Sequence, residues 1–271
     1  MKFPIARRII GSDLPYPSAF KMLLLAATCS RPRWAWFFWV LLKPFIHEGK
    51  VRVDYEFLGR PLTAFVRVDD TSSDFGILYE QAVCNAYRLD LDLRPELIID
   101  GGGNVGMFTL SAIALNPDAR IIVCEPVPRN ITQMREHFAI NGVRAEILQV
   151  CIGGSRRKLR FYEREAGQGS TDPAKSFTNT FEVEVVTLDD VISGYDGKAE
   201  RILVKLDIEG MEIEALQEFV RPTKHKITIV GELHDHKDNK DEVVRIFTEA
   251  RWTCRFYDET DPGSNFYARS F

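Results

Sequence analysis

Four short segments hold the residues best equipped for chemistry. The first is Asp100-Gly101-Gly102-Gly103-Asn104-Val105-Gly106, which follows the apolar run Leu97-Ile98-Ile99 and opens a helical pattern. Glycines at a strand–turn–helix junction let the backbone turn tightly and approach a ligand, and the first N–H groups of a helix suit a carboxylate or phosphate. The second is Glu125-Pro126, directly after the apolar run 120–124. A carboxylate at that strand end accepts hydrogen bonds from both hydroxyls of a ribose. The third is Lys205-Leu206-Asp207-Ile208-Glu209-Gly210. A lysine within an apolar strand needs neutralising, and strand alternation puts Asp207 and Glu209 on its side. The fourth is Glu232-Leu233-His234-Asp235-His236. Glu232, His234 and His236 could face one way, as a pocket base or as ligands of a divalent metal. A non-metal role for Glu232 or His234 is preferred, with Asp207, Glu232 and His234 the ligand set if a metal is bound.

Two cofactors compete for the glycine turn. Gly101, Gly103 and Gly106 match G-x-G-x-x-G, the pattern of nicotinamide enzymes, so an NAD(P)-dependent oxidoreductase is the alternative function. Asp100 weighs against it, because an anion beside the turn repels a pyrophosphate. The ammonium of the methionine part of S-adenosyl-L-methionine would instead pair with that carboxylate. The chain also lacks a Tyr-x-x-x-Lys pair.

The elements that position these segments follow from periodicity. From residue 96 onward short apolar strands alternate with helical patterns: strand 97–100, helix 105–115, strand 120–124, helix 129–140, strand 145–150, strand 202–207, helix 211–219, strand 226–232 and helix 239–250. That alternation predicts an α/β fold with a mostly parallel sheet. The runs 253–257 and 265–268 predict a closing antiparallel hairpin. Upstream, Val51–Leu58 and Leu62–Val68 flank Gly59-Arg60-Pro61 as a second hairpin, and a helix is expected over 76–87, capped by Ser73 or Asp74. Residues 1–48 read as short helices broken by Pro15, Pro17, Pro32 and Pro44. The division expected is 1–90, a helical and hairpin extension serving as substrate cap or interaction region, and 91–271, the cofactor-binding domain.

Composition narrows the partners. The 271 residues carry a net charge of −4, which argues against a nucleic-acid partner bound through bulk positive charge. The charge is uneven: residues 1–50 hold eight Lys/Arg against two Asp/Glu, beside the aromatic run Trp34-Ala35-Trp36-Phe37-Phe38-Trp39. Residues 20–46 could therefore touch a membrane surface. Their apolar runs, 22–29 and 34–42, fall short of the roughly 20 residues that span a bilayer. Met1–Ile10 has no signal-peptide core. The five cysteines are odd in number and widely spaced, so reduced thiols in a cytoplasmic protein are expected, and no zinc site.

Taken together these segments resemble the FkbM family of S-adenosylmethionine-dependent methyltransferases. The likeness runs over about residues 65 to 235. It rests on the stretch from Ile98 to Thr109, Cys124-Glu125-Pro126, Asn141-Gly142, Val186-Thr187-Leu188-Asp189-Asp190, Lys205 to Gly210 and Glu232-Leu233-His234, in order and spacing. One departure is Gly102, which stands where the family's D-x-G-A-N usually has alanine, a mild change. The resemblance implies a Rossmann-like, seven-stranded class I methyltransferase fold and O-methylation of a hydroxyl on a natural product or glycan. It implies that Gly101–Gly106 with Asn104 hold the methionine portion, that Glu125 and Pro126 meet the ribose, and that Cys151 and Ile152 lie near the adenine. Gln168–Ser170 and Ser73-Asp74 would help cover the pocket. The expected catalytic group is Asp207, His234 and Glu232, with Lys205 orienting Asp207. The acceptor's identity and the oligomeric state are not encoded in any of these residues.

Overall fold

The computed structural model describes residues 49–67, 73–90, 92–163, 169–170, 179–195, 199–234, 236–257 and 264–271. The expectations for residues 1–48, including the aromatic run and the lipid-contact region, and for Gln168 lie outside them. No described helix is long and apolar enough to cross a membrane.

Thirteen described strands form three sheets. β1 (Lys50–Phe57) and β2 (Arg60–Arg67) make the expected hairpin. Its two turn residues, Leu58 and Gly59, both have positive φ (45° and 80°). That is the backbone sense of the tight turn that matches strand twist. The chain then enters α1 (Asp74–Tyr79), which runs on as a wider turn over Glu80–Cys84. Ser73 makes no capping bond there.

The main sheet contains β3 (Leu97–Gly101), β4 (Arg120–Cys124), β5 (Glu146–Leu148), β10 (Arg201–Leu206), β11 (Lys226–Leu233), β12 (Thr253–Phe256) and β13 (Ser264–Arg269), in the order β12-β13-β11-β10-β3-β4-β5. The five strands from β11 to β5 are parallel, while β13 runs antiparallel to both β11 and β12. The mostly parallel seven-stranded sheet with an antiparallel closing hairpin is therefore present, and the fold is that of a class I methyltransferase. Its helices are α2 (Met107–Leu115), α3 (Pro128–Asn141), α5 (Glu212–Phe219) and α6 (His236–Glu249).

Strand alternation divides the core. Ile98, Leu203 and Val230 face the side covered by α2, α3 and the hairpin, in one cluster with Val53, Tyr55, Phe57, Leu62, Ala64 and Val66. Leu97, Ile99, Val204 and Ile229 face the other side, against α5 and α6. Helix α2 is buried on nearly every side, which its sequence MFTLSAIAL permits only because β2 lies over its outer face.

An exposed two-stranded ribbon would leave the outer edge of β2 unpaired. Here side chains pair it. Asn141 bonds both the N–H and the C=O of Thr63, at 2.9 and 2.7 Å. His137 Nε2 accepts from Phe65 N at 2.9 Å, and Gln133 donates to Phe65 O at 2.7 Å. Asp74 accepts from Arg67 N at 3.0 Å. Burial pushes the His137 pKa down, which keeps the ring neutral and able to accept.

Two differences from the sequence reading concern positions 145–200. The single strand expected over 145–150 is two strands in different sheets, β5 and β6 (Val150–Ile152). The stretch after it, left unassigned, forms β7 (Arg157–Glu163), β8 (Gly169–Ser170) and β9 (Asn179–Val186), which pair with β6 in a four-stranded sheet ordered β6-β9-β7-β8. Phe181, Val183 and Val185 alternate with Glu182 and Glu184, so the signal of a half-buried strand was present. Then α4 (Leu188–Gly194) begins at Thr187, whose side chain accepts from Asp190 N while Asp190 accepts from Thr187 N. The stretch Val186–Asp190, part of the family likeness, is thus a helix start outside the site.

Candidate active site

The C-terminal ends of β3, β4 and β10 meet β6 at one cleft, as ligand sites of parallel sheets do; Glu232 and His234, at the end of β11, do not line it but have ligand atoms within 4.8 Å of Asp207, which does. Its cavity volume is about 70 Å³, and it opens to solvent. An apolar part is walled by Val127, Val150, Cys151, Ile152, Phe161 and Met211; a polar part by Asn104, Glu125, Asn130, Asp207 and Glu209. Of the candidates, Asn104, Glu125, Pro126, Cys151, Ile152 and Asp207 line this cleft.

Asp100, Gly101, Gly103 and Gly106 stand behind it, and the glycines have other reasons to be small. A Cβ on Gly103 would come within 2.2 Å of a Val123 methyl. Gly102 is the glycine that faces the cleft. Its φ is +75°, and a Cβ there would lie 1.8 Å from the Asp207 carbonyl oxygen. The turn is stitched to both flanking strands: Gly102 N and Gly103 N donate to Cys124 O at 2.9 and 3.1 Å, and Asp207 N donates to Gly101 O at 3.2 Å. Glycine at 102 is therefore a demand of the turn rather than a mild departure. Counted along D-x-G-A-N, the alanine of the pattern falls on Gly103, which corrects the assignment to Gly102.

Register explains the buried charges. Lys205 is paired with Asp100 across β10 and β3, so the two side chains share a face. Lys205 Nζ donates to Gly102 O at 2.5 Å and lies 3.5 Å from Asp100 Oδ1 and 3.4 Å from Asp207 Oδ2. Burial opposes its charge, but Asp207, Asp100 and Glu125 outweigh that and raise its pKa. Asp100 also accepts from Thr109 Oγ1 at 2.6 Å. Burial likewise opposes ionisation of Asp207, but Lys205, His234 and a bond from Tyr87 hold its pKa below the usual carboxylate range.

Glu125 is buried and accepts from Asn104 N at 2.7 Å, Val127 N at 3.0 Å and Asn130 Nδ2 at 3.3 Å. Burial pushes its pKa up to about 7 against the pull of those donors and of Lys205. Beside Asp207 and Glu209, His234 Nδ1 is 2.9 Å from Glu212 Oε1, and Nε2 lies 3.8 Å from Asp207 and 3.7 Å from Glu209. Burial works against a charged ring, but Glu212, Asp207 and Glu209 prevail and push the His234 pKa up to about 10. Glu232 is pushed up to about 7, first by burial and then by Asp207.

One ligand atom from each of Asp207, Glu232 and His234 lies within 4.8 Å of the others, so the structure does assemble the three residues named as a metal set. His236 opens α6, and Asp235 lies outside the described residues. Asp74 is fully buried and takes two bonds from the Arg67 guanidinium, at 2.8 and 2.6 Å. It ties the hairpin to α1 rather than covering the cleft.

Two residues of this site escaped the sequence reading. Glu212 had a signal, since it stands three residues after Glu209 at a helix start; its carboxylate accepts from Ile208 N and Gly210 N as well as facing His234. Tyr87 had none. Its hydroxyl donates to Asp207 Oδ2 at 2.9 Å, and its ring meets Phe108 edge-on. Tyr87→Phe is expected to cost about 1.5–3 kcal/mol in chemical denaturation, the value of one bond to a charged acceptor.

A match to the model described as the methyltransferase FkbM domain spans residues 100–254, more than half of the chain. The chain belongs to the FkbM methyltransferase family. The FkbM domain takes in the glycine turn, Glu125, the β10 and β11 termini and α6. Among curated relatives, methyltransferase sdnD of Sordaria araneosa is 30% identical over 44% of this chain and 59% of its own length. Methyltransferase 1 of Beauveria bassiana (strain ARSEF 2860) is 26% identical over 44% and 57%. The chain thus covers less than two thirds of either relative. A precorrin-6y C5,15-methyltransferase structure from Geobacter metallireducens matches at 14% identity and a TM-score of 0.42, over 68% of this chain and 85% of that one. So low a score carries no argument, and the fold rests on the sheet order. Family membership gives the oxidoreductase alternative no support, and the three glycines that suggested it face protein atoms.

Proposed function

We propose that this protein transfers the methyl group of S-adenosyl-L-methionine to a hydroxyl of a natural product or glycan. The observation that carries the reading is a single cleft joining an apolar slot, the Glu125 carboxylate and the β10 terminus at Asp207. The slot suits an adenine ring and Glu125 suits two ribose hydroxyls. The buried acids Asp100 and Asp207 favour a cationic amino acid portion over a pyrophosphate. When bound, the cofactor supplies an electrophilic methyl on sulfur.

The chain's own residues then hold and deprotonate the acceptor. An alkyl hydroxyl is a poor nucleophile, and a general base works best when its pKa is near the working pH. Glu232, with its pKa near 7, fits that role better than its neighbours. Asp207, held ionised by Lys205 and His234, is too weak a base, and His234 is charged at neutral pH. Asp207 and Tyr87 orient the acceptor.

The test is methyl transfer from labelled cofactor to a panel of polyketide and glycan alcohols. An alkali-stable methyl ether is expected; a methyl ester or N-methyl product would sink the O-methyl reading. Glu232→Gln should lower kcat by about 100-fold, the usual share of a general base, and remove the acidic limb of the pH–rate profile. EDTA and added magnesium should leave turnover unchanged. A loss with EDTA would instead make Asp207, Glu232 and His234 metal ligands.

A further inference from the structure

A buried polar chain leads from the N-terminal hairpin to the carboxylate of the cofactor cleft. Asp74 holds the Arg67 guanidinium through two bonds, at 2.6 and 2.8 Å. Arg67 Nη2 donates to Asn130 Oδ1 at 3.2 Å, and Asn130 Nδ2 donates to Glu125 Oε1 at 3.3 Å. All four residues are less than 9% exposed. An amide has one accepting end and one donating end. A cation on the oxygen of Asn130 therefore turns its N–H₂ toward Glu125, where it favours the ionised carboxylate.

We propose that Arg67 is a positioning residue for cofactor binding: by orienting Asn130 it sets the charge state of Glu125, and so makes the hairpin part of the cofactor site. This rests on the reading that Glu125 binds the ribose. Arg67 and Asp74 do not line the cleft, and the bonds that link Arg67 to Glu125 run through Asn130. The other groups around Glu125 are Asn104 and Val127 through their N–H groups, the Lys205 ammonium from β10, and the thiols of Cys124 and Cys151. Asp207 and Glu209 face it across the cleft. None of these contacts Arg67 through a bond described here. An ionised Glu125 accepts from hydroxyls better than a neutral one, so binding should tighten as pH rises through its pKa, which burial has already lifted to about 7. Loss of the Asn130 donor raises that pKa further and moves the midpoint up.

The experiment is calorimetric titration with S-adenosylhomocysteine from pH 5.5 to 8.5. It compares wild type, Glu125→Gln, Asn130→Asp and the double variant Arg67→Met with Asp74→Leu. Removing the pair together leaves no lone buried charge. The double variant should bind about 10-fold more weakly at pH 7, with its midpoint higher by at least about half a unit. Asn130→Asp keeps a partner for Arg67 but sets a second carboxylate against Glu125, so its midpoint should rise further. That comparison stands even if the double variant fails to fold. If wild type and Glu125→Gln bind alike at every pH, the ribose reading itself fails. If Glu125→Gln loses the pH dependence while both other variants, or Asn130→Asp alone where the double variant is unfolded, keep the wild-type midpoint, the Arg67 proposal is overturned and the ribose reading survives.

Discussion

Replacing Gly102 with alanine is expected to raise the Kd for S-adenosylhomocysteine by at least about 100-fold, or to prevent folding. Two costs add. An alanine at φ +75° sits in the left-handed region, a penalty of about 1–2 kcal/mol. Its Cβ would also stand 1.8 Å from the Asp207 carbonyl oxygen, and that oxygen belongs to the backbone leaving β10. Relief requires moving the chain end that carries Asp207, on which both proposed substrates depend. Gly103→Ala is the informative contrast. Its obstacle is a side-chain methyl of Val123, so the double variant Gly103→Ala, Val123→Ala should recover most of the lost stability, whereas no trimming of side chains should rescue Gly102→Ala. Thermal unfolding and calorimetry on the three proteins check this. A Gly102→Ala protein with wild-type binding would show that the turn has room the geometry denies it.

Lys205→Met should destabilise the protein by about 3–5 kcal/mol at pH 8, the usual cost of removing one partner of a buried charge set. Asp100 is fully buried and Asp207 about a quarter exposed, and the ammonium lies within 3.5 Å of both. Without it two carboxylates face each other with Thr109 and Tyr87 as their remaining side-chain donors. The pH dependence has a definite sign. The Lys205 pKa is raised in the folded state, so its contribution is fully present below the ordinary lysine pKa and fades only above it. Asp207 is the reverse: its pKa is depressed, so its contribution is present above the ordinary carboxylate range and lost as pH falls. In the variant Asp207 loses its largest stabilising partner and takes up a proton more readily. The gap between variant and wild type should therefore narrow as pH falls from 8 toward 5. Denaturation at the two pH values tests it; a gap that is constant or widens on acidification would mean that Lys205 acts through packing of its stem.

How much was legible can be judged from single residues. Glu125 was identifiable because a carboxylate that ends an apolar strand after a glycine turn has few roles. The pairing of Lys205 with acids was legible because a charge in an apolar strand has to be matched. Asp207 and Lys205 fall on one face by alternation alone. The second sheet was missed because β7 carries three Arg/Lys among its seven residues, which masks its alternation. Gly102 was misjudged because D-x-G-A-N was counted one position early: its glycine falls on Gly102, and the structure supplies the reason, a backbone oxygen of Asp207 where a Cβ would stand.

The sequence by itself determined the alternation of strands and helices, hence the parallel sheet, and the acids and glycines carried to its C-terminal edge, because both follow from local periodicity and residue chemistry. Tertiary structure alone decided which remote segments complete the site. Tyr87 meets Asp207 across 120 positions, Arg67 reaches Asn130 across 63, and His137 satisfies the edge of β2 across 72. The physical reason is that periodicity selects the face on which a side chain lies. Which distant element packs on that face is settled by the burial of apolar area and by the requirement that every buried donor and acceptor find a partner.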